Sequence, residues 1–135
     1  MDAFVLERLF FYFGIGLGLS GSAWGLAVSF SASMGAGKQR FYGVMPLAIA
    51  PSTQGIYTLV AAMLKRPLLG VEPGVGYMLL MVGTACFLSA IWQGRVCAAG
   101  IRAIAEDRNT LANGIVAAAM PETYAVLSLV GVFLF

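Results

Sequence analysis

The sequence predicts an all-α membrane protein: four transmembrane helices, arranged as two tandem helical hairpins that run parallel. Three observations predict the four spans. Hydrophobic residues make up 60% of the chain and charged residues 10%, against about 25% charged in ordinary soluble domains. The mean hydropathy is +0.89. The charged residues (8 Lys and Arg, 6 Asp and Glu) are bunched, leaving four stretches long enough to cross a bilayer. A surface so poor in charge cannot face water, which excludes a soluble enzyme, a nucleic-acid binder and a disordered linker. The net charge of +2 points to no acidic partner. Histidine is absent, and two Cys provide no metal or disulfide framework.

The elements follow in order. Arg8 and Lys38 bracket the first uncharged run, giving a span over 9–34. Asp2 and Glu7 offset Arg8, so the N-terminus lacks the basic region of a cleaved signal, and the first span is expected to be retained. Arg40 and Lys65 bracket a second uncharged run, giving a span over 41–64. Glu72 and Arg95 bracket a third, opening a span over 75–105. The stretch after Arg108 holds one charge, Glu122, and gives a fourth span over 113–135. Long apolar runs of this kind cross lipid as helices, because only a helix satisfies its own backbone there.

Four spans place both termini on one side. The 1–2 and 3–4 connections carry Lys38, Arg40, Arg95, Arg102 and Arg108, whereas the other side carries Arg8, Lys65 and Arg66. The basic excess favours those two loops as cytoplasmic and both termini as outside.

The halves resemble one another, as hairpin repeats over 9–68 and 75–135. Ala50-Pro51-Ser52-Thr53 aligns with Met120-Pro121-Glu122-Thr123, and Leu19-Ser20 and Gly25 align with Leu88-Ser89 and Gly94. Ser52 stands where Glu122 stands, and Trp24 where Gln93 stands, so only one copy holds a carboxylate. Gly14, Gly18, Gly21, Gly25 and Ser29 form a small-residue stripe on the first span, as do Gly76, Gly83, Ala90 and Cys97 on the third. Such stripes let helix backbones approach closely in lipid.

Glu122 is the candidate functional residue. It lies near the bilayer centre, where an acidic side chain costs roughly 2.5–3.5 kcal/mol on insertion scales. A proton, a cation or a polar pocket has to compensate. Thr53, Gln54 and Tyr57 on the second span and Gln93 on the third supply neutral oxygens, and one carboxylate among them balances one positive charge. Pro51 and Pro121 each remove a backbone donor beside this cluster, which frees carbonyls, that of Ala50 among them, to turn toward an ion. At about 1.5 Å per residue, Gln54 lies about 17 Å deep, Glu122 about 20 Å and Gln93 about 27 Å. A common plane then requires the third span to begin later than residue 75.

Three segments carry a family resemblance: Ala50-Pro51-Ser52-Thr53-Gln54-Gly55-Ile56-Tyr57, Gln93-Gly94-Arg95-Val96-Cys97-Ala98-Ala99-Gly100-Ile101 and Ala118-Ala119-Met120-Pro121-Glu122-Thr123-Tyr124-Ala125. They resemble the proteolipid (K or c) subunit of V-type rotary ATPases, closest to the bacterial sodium-translocating kind, over essentially the whole chain. The resemblance implies a ring of identical subunits in membrane lipid, turning against a stator subunit with a basic residue and joined to a central stalk on the cytoplasmic side. It implies no ATP site on this chain, and no nucleic acid. It implies that Glu122 carries the ion, with Gln93, Thr53, Gln54 and the Ala50 carbonyl as partners and Tyr57 as a supporting hydrogen bond. All four side-chain positions are filled, which favours Na⁺, with H⁺ as the alternative.

Two rivals differ in the residues they require. A small four-helix multidrug/proton antiporter resembles this chain in size but places its Glu in the first span, where this sequence has none. A thiol enzyme built on Cys86 or Cys97 has no accompanying base.

Overall fold

The computed structural model describes residues 2–134. Its helices are α1 (Ala3–Gly35), α2 (Met45–Ile49), α3 (Thr53–Lys65), α4 (Val75–Ala105) and α5 (Leu111–Leu134). A single 3₁₀ turn, Ala50–Ser52, joins α2 to α3, and another, Arg66–Leu68, ends that span. Four helical stretches are long and apolar enough to cross a membrane: Ala3–Gly35, Met45–Leu68, Val75–Ala105 and Leu111–Leu134. This is an all-α membrane protein. Phe135, the last residue of the expected fourth span, lies outside the described residues.

Boundaries set by charge shift where backbone chemistry decides instead. The first helix begins at Ala3, ahead of the uncharged run, because the Asp2 carbonyl accepts the amides of Val5 and Leu6 at 2.9 and 3.2 Å. Arg8 stacks there over Phe4, 4.2 Å from the ring centre. The second span begins at Met45 rather than at residue 41. Gly37, at φ +84°, turns the chain, residues 38–44 follow as turns, and Pro46 occupies the first helical turn, where its missing N–H costs nothing.

The helices pack through their small residues. α1 and α4 run parallel and in contact along most of their length. A Cβ on Gly76, Gly83 or Gly94 would strike the backbone of Glu7, Gly14 or Gly25 respectively. The three pairs share one offset in residue number, the same offset that aligns Gly25 with Gly94 between the first and third spans. Gly14, Gly21 and Gly25 answer from α1 against the backbones of Leu79, Phe87 and Ala90, while Gly18 meets the Thr58 side chain on α3. In lipid, apolar contact between helices provides little drive, so this close approach supplies the van der Waals contact that holds the pair.

Two apolar clusters lie at opposite ends of the bundle. One gathers Phe11, Ala61, Leu79, Cys86, Ala125 and Val132; the other gathers Val44, Leu47, Ala48, Cys97, Ile101 and Ala118. Between them runs a polar layer containing Gln54, Thr58, Ser89 and Gln93, all buried. Cys86 and Cys97 are buried free thiols within the apolar clusters, as packing residues would be.

The ends of the bundle are tied separately. Glu7 Oε1 accepts the Gly74 amide at 2.5 Å at the start of α4, where a carboxylate also suits the helix dipole. At the other end Arg40 donates to the Ile104 carbonyl at 2.5 Å and to Asp107 at 2.6 Å, joining the 1–2 and 3–4 connections. The Arg40 guanidinium, first by hydrogen bond and then by charge, holds the Asp107 carboxyl below its ordinary range, and Arg40 is raised in turn.

Gly83→Leu is expected to destabilise the chain by about 1–3 kcal/mol or more, since the added side chain meets Gly14 backbone that cannot yield. Gly131→Ala, inside α5 where the added atom enters open space, should not lower the thermal denaturation temperature of the purified protein, since Ala is the better helix former. For Asp107, a lowered folded pKa means that the clasp contributes above the unfolded carboxylate value near 3.9 and is lost as pH falls through the lower folded value; Arg40 stays charged throughout. With each rate divided by the intrinsic exchange rate at that pH, protection of the Arg40, Phe41 and Val44 amides should therefore fall in acid, and Asp107→Asn should remove that pH dependence.

Candidate ion site

Glu122 sits in the middle of α5, one residue after Pro121, the proline inside that helix. It is half-buried. One side of it lines a shallow outer groove of about 400 Å³ with Ala119, Thr123, Val126 and Leu127. Its carboxylate turns the other way, into the bundle. Tyr57 Oη donates to Oε1 at 2.8 Å, and Gln93 Nε2 donates to Oε2 at 3.2 Å. Hydrogen bonds to an ionised group contribute about 1.5–3 kcal/mol each, comparable with the insertion cost of the carboxylate.

A chain of polar groups continues inward. Gln93 Nε2 also donates to the Ala118 carbonyl at 3.0 Å, and Gln93 Oε1 accepts Gln54 Nε2 at 2.5 Å. Both Gln side chains are fully buried, at 0% exposure. Thr53 Oγ1 stands 3.4 Å from Gln54 Oε1 and 3.2 Å from the Ala50 carbonyl. Tyr57, Gln93 and Gln54 are thus linked directly into the network of Glu122. Thr53 joins at its edge through Gln54, and the Ala50 carbonyl through Thr53.

The break beside Pro51 explains how these groups converge. The 3₁₀ turn over Ala50–Ser52 interrupts the span between α2 and α3, and buried serines of α1 stitch both sides of it. Ser29 Oγ donates to the Ala48 carbonyl at 2.6 Å, and Ser22 Oγ accepts the Gly55 amide at 2.7 Å. Among the described residues no buried side-chain polar atom lacks a partner. The structure corrects the depth count: α4 does begin at Val75, yet Gln93 reaches Glu122. Spans need not start in one plane, and α4, at 31 residues, is longer than α5 at 24.

Ser89 is a site neighbour that the sequence marks only through the repeat alignment. It lies one helical turn before Gln93 on the same face of α4, a spacing that makes it a neighbour. Its hydroxyl donates to the Pro121 carbonyl at 2.6 Å, and Gln54 Nε2 reaches it at 3.4 Å. Arg95 points elsewhere: it is exposed, with its guanidinium 4.8 Å from the centre of the Trp92 ring. Among the described residues no group of three or more His, Cys, Asp and Glu forms a multi-carboxylate or thiolate metal centre. One carboxylate amid neutral oxygens suits a monovalent charge.

Comparison with known proteins shows the family. The chain is 35% identical over 125 residues to the V-type sodium ATPase subunit K of Enterococcus hirae, covering 88% of this chain and 76% of that protein. The chain belongs to the proteolipid (K/c) subunit family of rotary ATPases. It is also 35% identical over 131 residues to the A-type ATP synthase subunit K of Methanocaldococcus jannaschii, covering 86% of this chain but 57% of that protein. The family model for the C subunit of ATP synthase matches residues 78–135, the stretch that carries Ser89, Gln93 and Glu122. The chain is therefore a rotor-ring proteolipid of a V/A-type ATPase, a non-catalytic membrane subunit.

Removing the phenol from this proteolipid's carboxylate tests the geometry. Tyr57→Phe should speed the reaction of Glu122 with a hydrophobic carbodiimide about tenfold, the loss of one charge-assisted hydrogen bond. Tyr124→Phe, on an exposed α5 position, should leave the rate as it is.

Proposed function

We propose that this proteolipid binds Na⁺ at Glu122 and carries it round a rotor ring during ATP-driven rotation. The supporting observation is the polar chain from Glu122 through Gln93 and Gln54 to Thr53 and the Ala50 carbonyl: one negative charge and several neutral oxygens in a layer bounded by apolar clusters. A hard monovalent cation takes such oxygens. The relative from Enterococcus hirae is named a sodium ATPase subunit, which favours Na⁺ over H⁺.

On this reading, Glu122, Gln93, Thr53, Gln54 and the Ala50 carbonyl hold the ion, and Tyr57 steadies the carboxylate. The bound ion neutralises Glu122 and lets it traverse lipid, where an isolated charge is costly. The outer groove beside Glu122 gives a basic stator residue an approach, and that residue's charge competes for the carboxylate and expels the ion. Each charge moved against 100 mV requires about 2.3 kcal/mol. One carboxylate per four helices means fewer ions per turn for a given girth, so each ion draws on more of the energy of rotation.

The two hairpins, 9–68 and 75–135, derive on this reading from one duplicated unit. The offset common to the sequence repeat and the α1–α4 contacts supports this. The same relation extends to the next copy and closes a ring around membrane lipid. The basic residues at that end, Lys38, Arg40 and Arg108 in the loops and Arg102 in the last turn of α4, favour the 1–2 and 3–4 loops as the cytoplasmic side, against the central stalk.

Carbodiimide labelling of Glu122 in membranes tests the sodium reading. Millimolar Na⁺ at neutral pH should slow labelling, and Thr53→Ala or Gln93→Ala should abolish that protection. Labelling indifferent to Na⁺ would leave a proton-carrying ring.

A further inference from the structure

We propose that Ser89 is a positioning residue: it fixes which end of the Gln54 amide faces the ion, and so sets the sodium affinity of the site. This inference rests on the sodium reading above and deepens it, for Ser89 is not itself among the proposed ligands.

A primary amide has an oxygen end and a nitrogen end of nearly equal size, and only the oxygen binds a cation. Something has to hold Gln54 the right way round. The Ser89 hydroxyl proton is committed to the Pro121 carbonyl at 2.6 Å. That leaves the Ser89 oxygen with lone pairs alone toward Gln54, so it accepts and does not donate. Only the NH₂ end of Gln54 fits there, and Nε2 does face it, at 3.4 Å. Oε1 is thereby turned toward Thr53 Oγ1, at 3.4 Å, and toward the side of the Ala50 carbonyl.

Gln93 Oε1 also accepts from Gln54 Nε2, at 2.5 Å. Gln93, however, is itself a proposed ligand, and when its oxygen turns to an ion that bond is given up. Ser89, anchored to α5 backbone, is the acceptor that remains. Its anchor has a second effect. Ser89 grips the Pro121 carbonyl independently of that amide, so the loosened turn before Glu122 keeps a tie to α4 while the Gln93 amide moves.

The equivalent serine in the first half shows what the residue does without a carboxylate nearby. Ser20 is exposed, and its hydroxyl bonds back to Leu17 of its own helix at 2.9 Å. The same residue type at the same register crosses to another helix only in the half that holds Glu122.

The test uses intact complexes in membranes, with carbodiimide labelling of Glu122 as readout. Labelling is followed against Na⁺ concentration at fixed pH, and against pH without Na⁺. Ser89→Ala should raise the Na⁺ concentration for half-protection roughly tenfold, the effect of one hydrogen-bonding group lost from a buried partner. The pH midpoint measured without Na⁺ should stay where it is. Ser89→Thr keeps the hydroxyl, and its extra methyl has room in the groove of about 620 Å³ that Ser89 lines; it should come within about twofold of the unaltered chain. Ser20→Ala should match the unaltered chain. Unchanged half-protection in Ser89→Ala, failure of Thr to restore it, or an equal shift of the pH midpoint would each overturn the role of Ser89 while the sodium reading stands. Absence of Na⁺ protection in the unaltered chain would overturn both.

Discussion

A single carboxylate placed in a medium that cannot solvate it is the constraint around which the rest of the molecule is arranged. At the bilayer centre Glu122 costs roughly 2.5–3.5 kcal/mol, and no other acidic residue shares its span. Compensation comes from the bundle itself. Tyr57 and Gln93 reach the two carboxylate oxygens from two different spans, which obliges α3, α4 and α5 to meet at one depth. The apolar clusters above and below seal the layer, and a polar group buried between them without a partner would cost about 1–3 kcal/mol.

Bringing three spans so close to one point requires slack in the helices and none in their packing. The slack comes from Pro51 and Pro121, each next to one of the aligned positions Ser52 and Glu122. The serines of α1 and α4 then take up the carbonyls and the amide beside the two breaks. The firmness comes from the glycines of α1 and α4, which bring two backbones into contact and leave no room for sliding.

Much of this is legible in residue types and their spacing. Intramembrane charge is rare enough that Glu122 identifies itself, and the oxygen-bearing residues near it in depth form a short set. Gln93 is the hard case, because a count of depth from the ends of straight spans sets it well below Glu122. The structure joins the two because α4 and α5 differ in length and need not start level. Ser89 is harder still: a serine in a membrane helix ordinarily bonds to its own preceding turn, as Ser20 does, and nothing local distinguishes the two.

Taken alone, the sequence determined four spans, the small-residue faces on which they pack, and the one carboxylate that has to be neutralised. Each of these follows from transfer free energy and local backbone chemistry, which act residue by residue. Only the tertiary structure decided the parallel register of α1 on α4, the direct linkage of Gln54 and Gln93, the peripheral place of Thr53 and Ala50, and the turning of Ser89 toward Pro121. Those depend on the stagger and rotation of one helix against another, which arise from contacts between residues far apart in the chain.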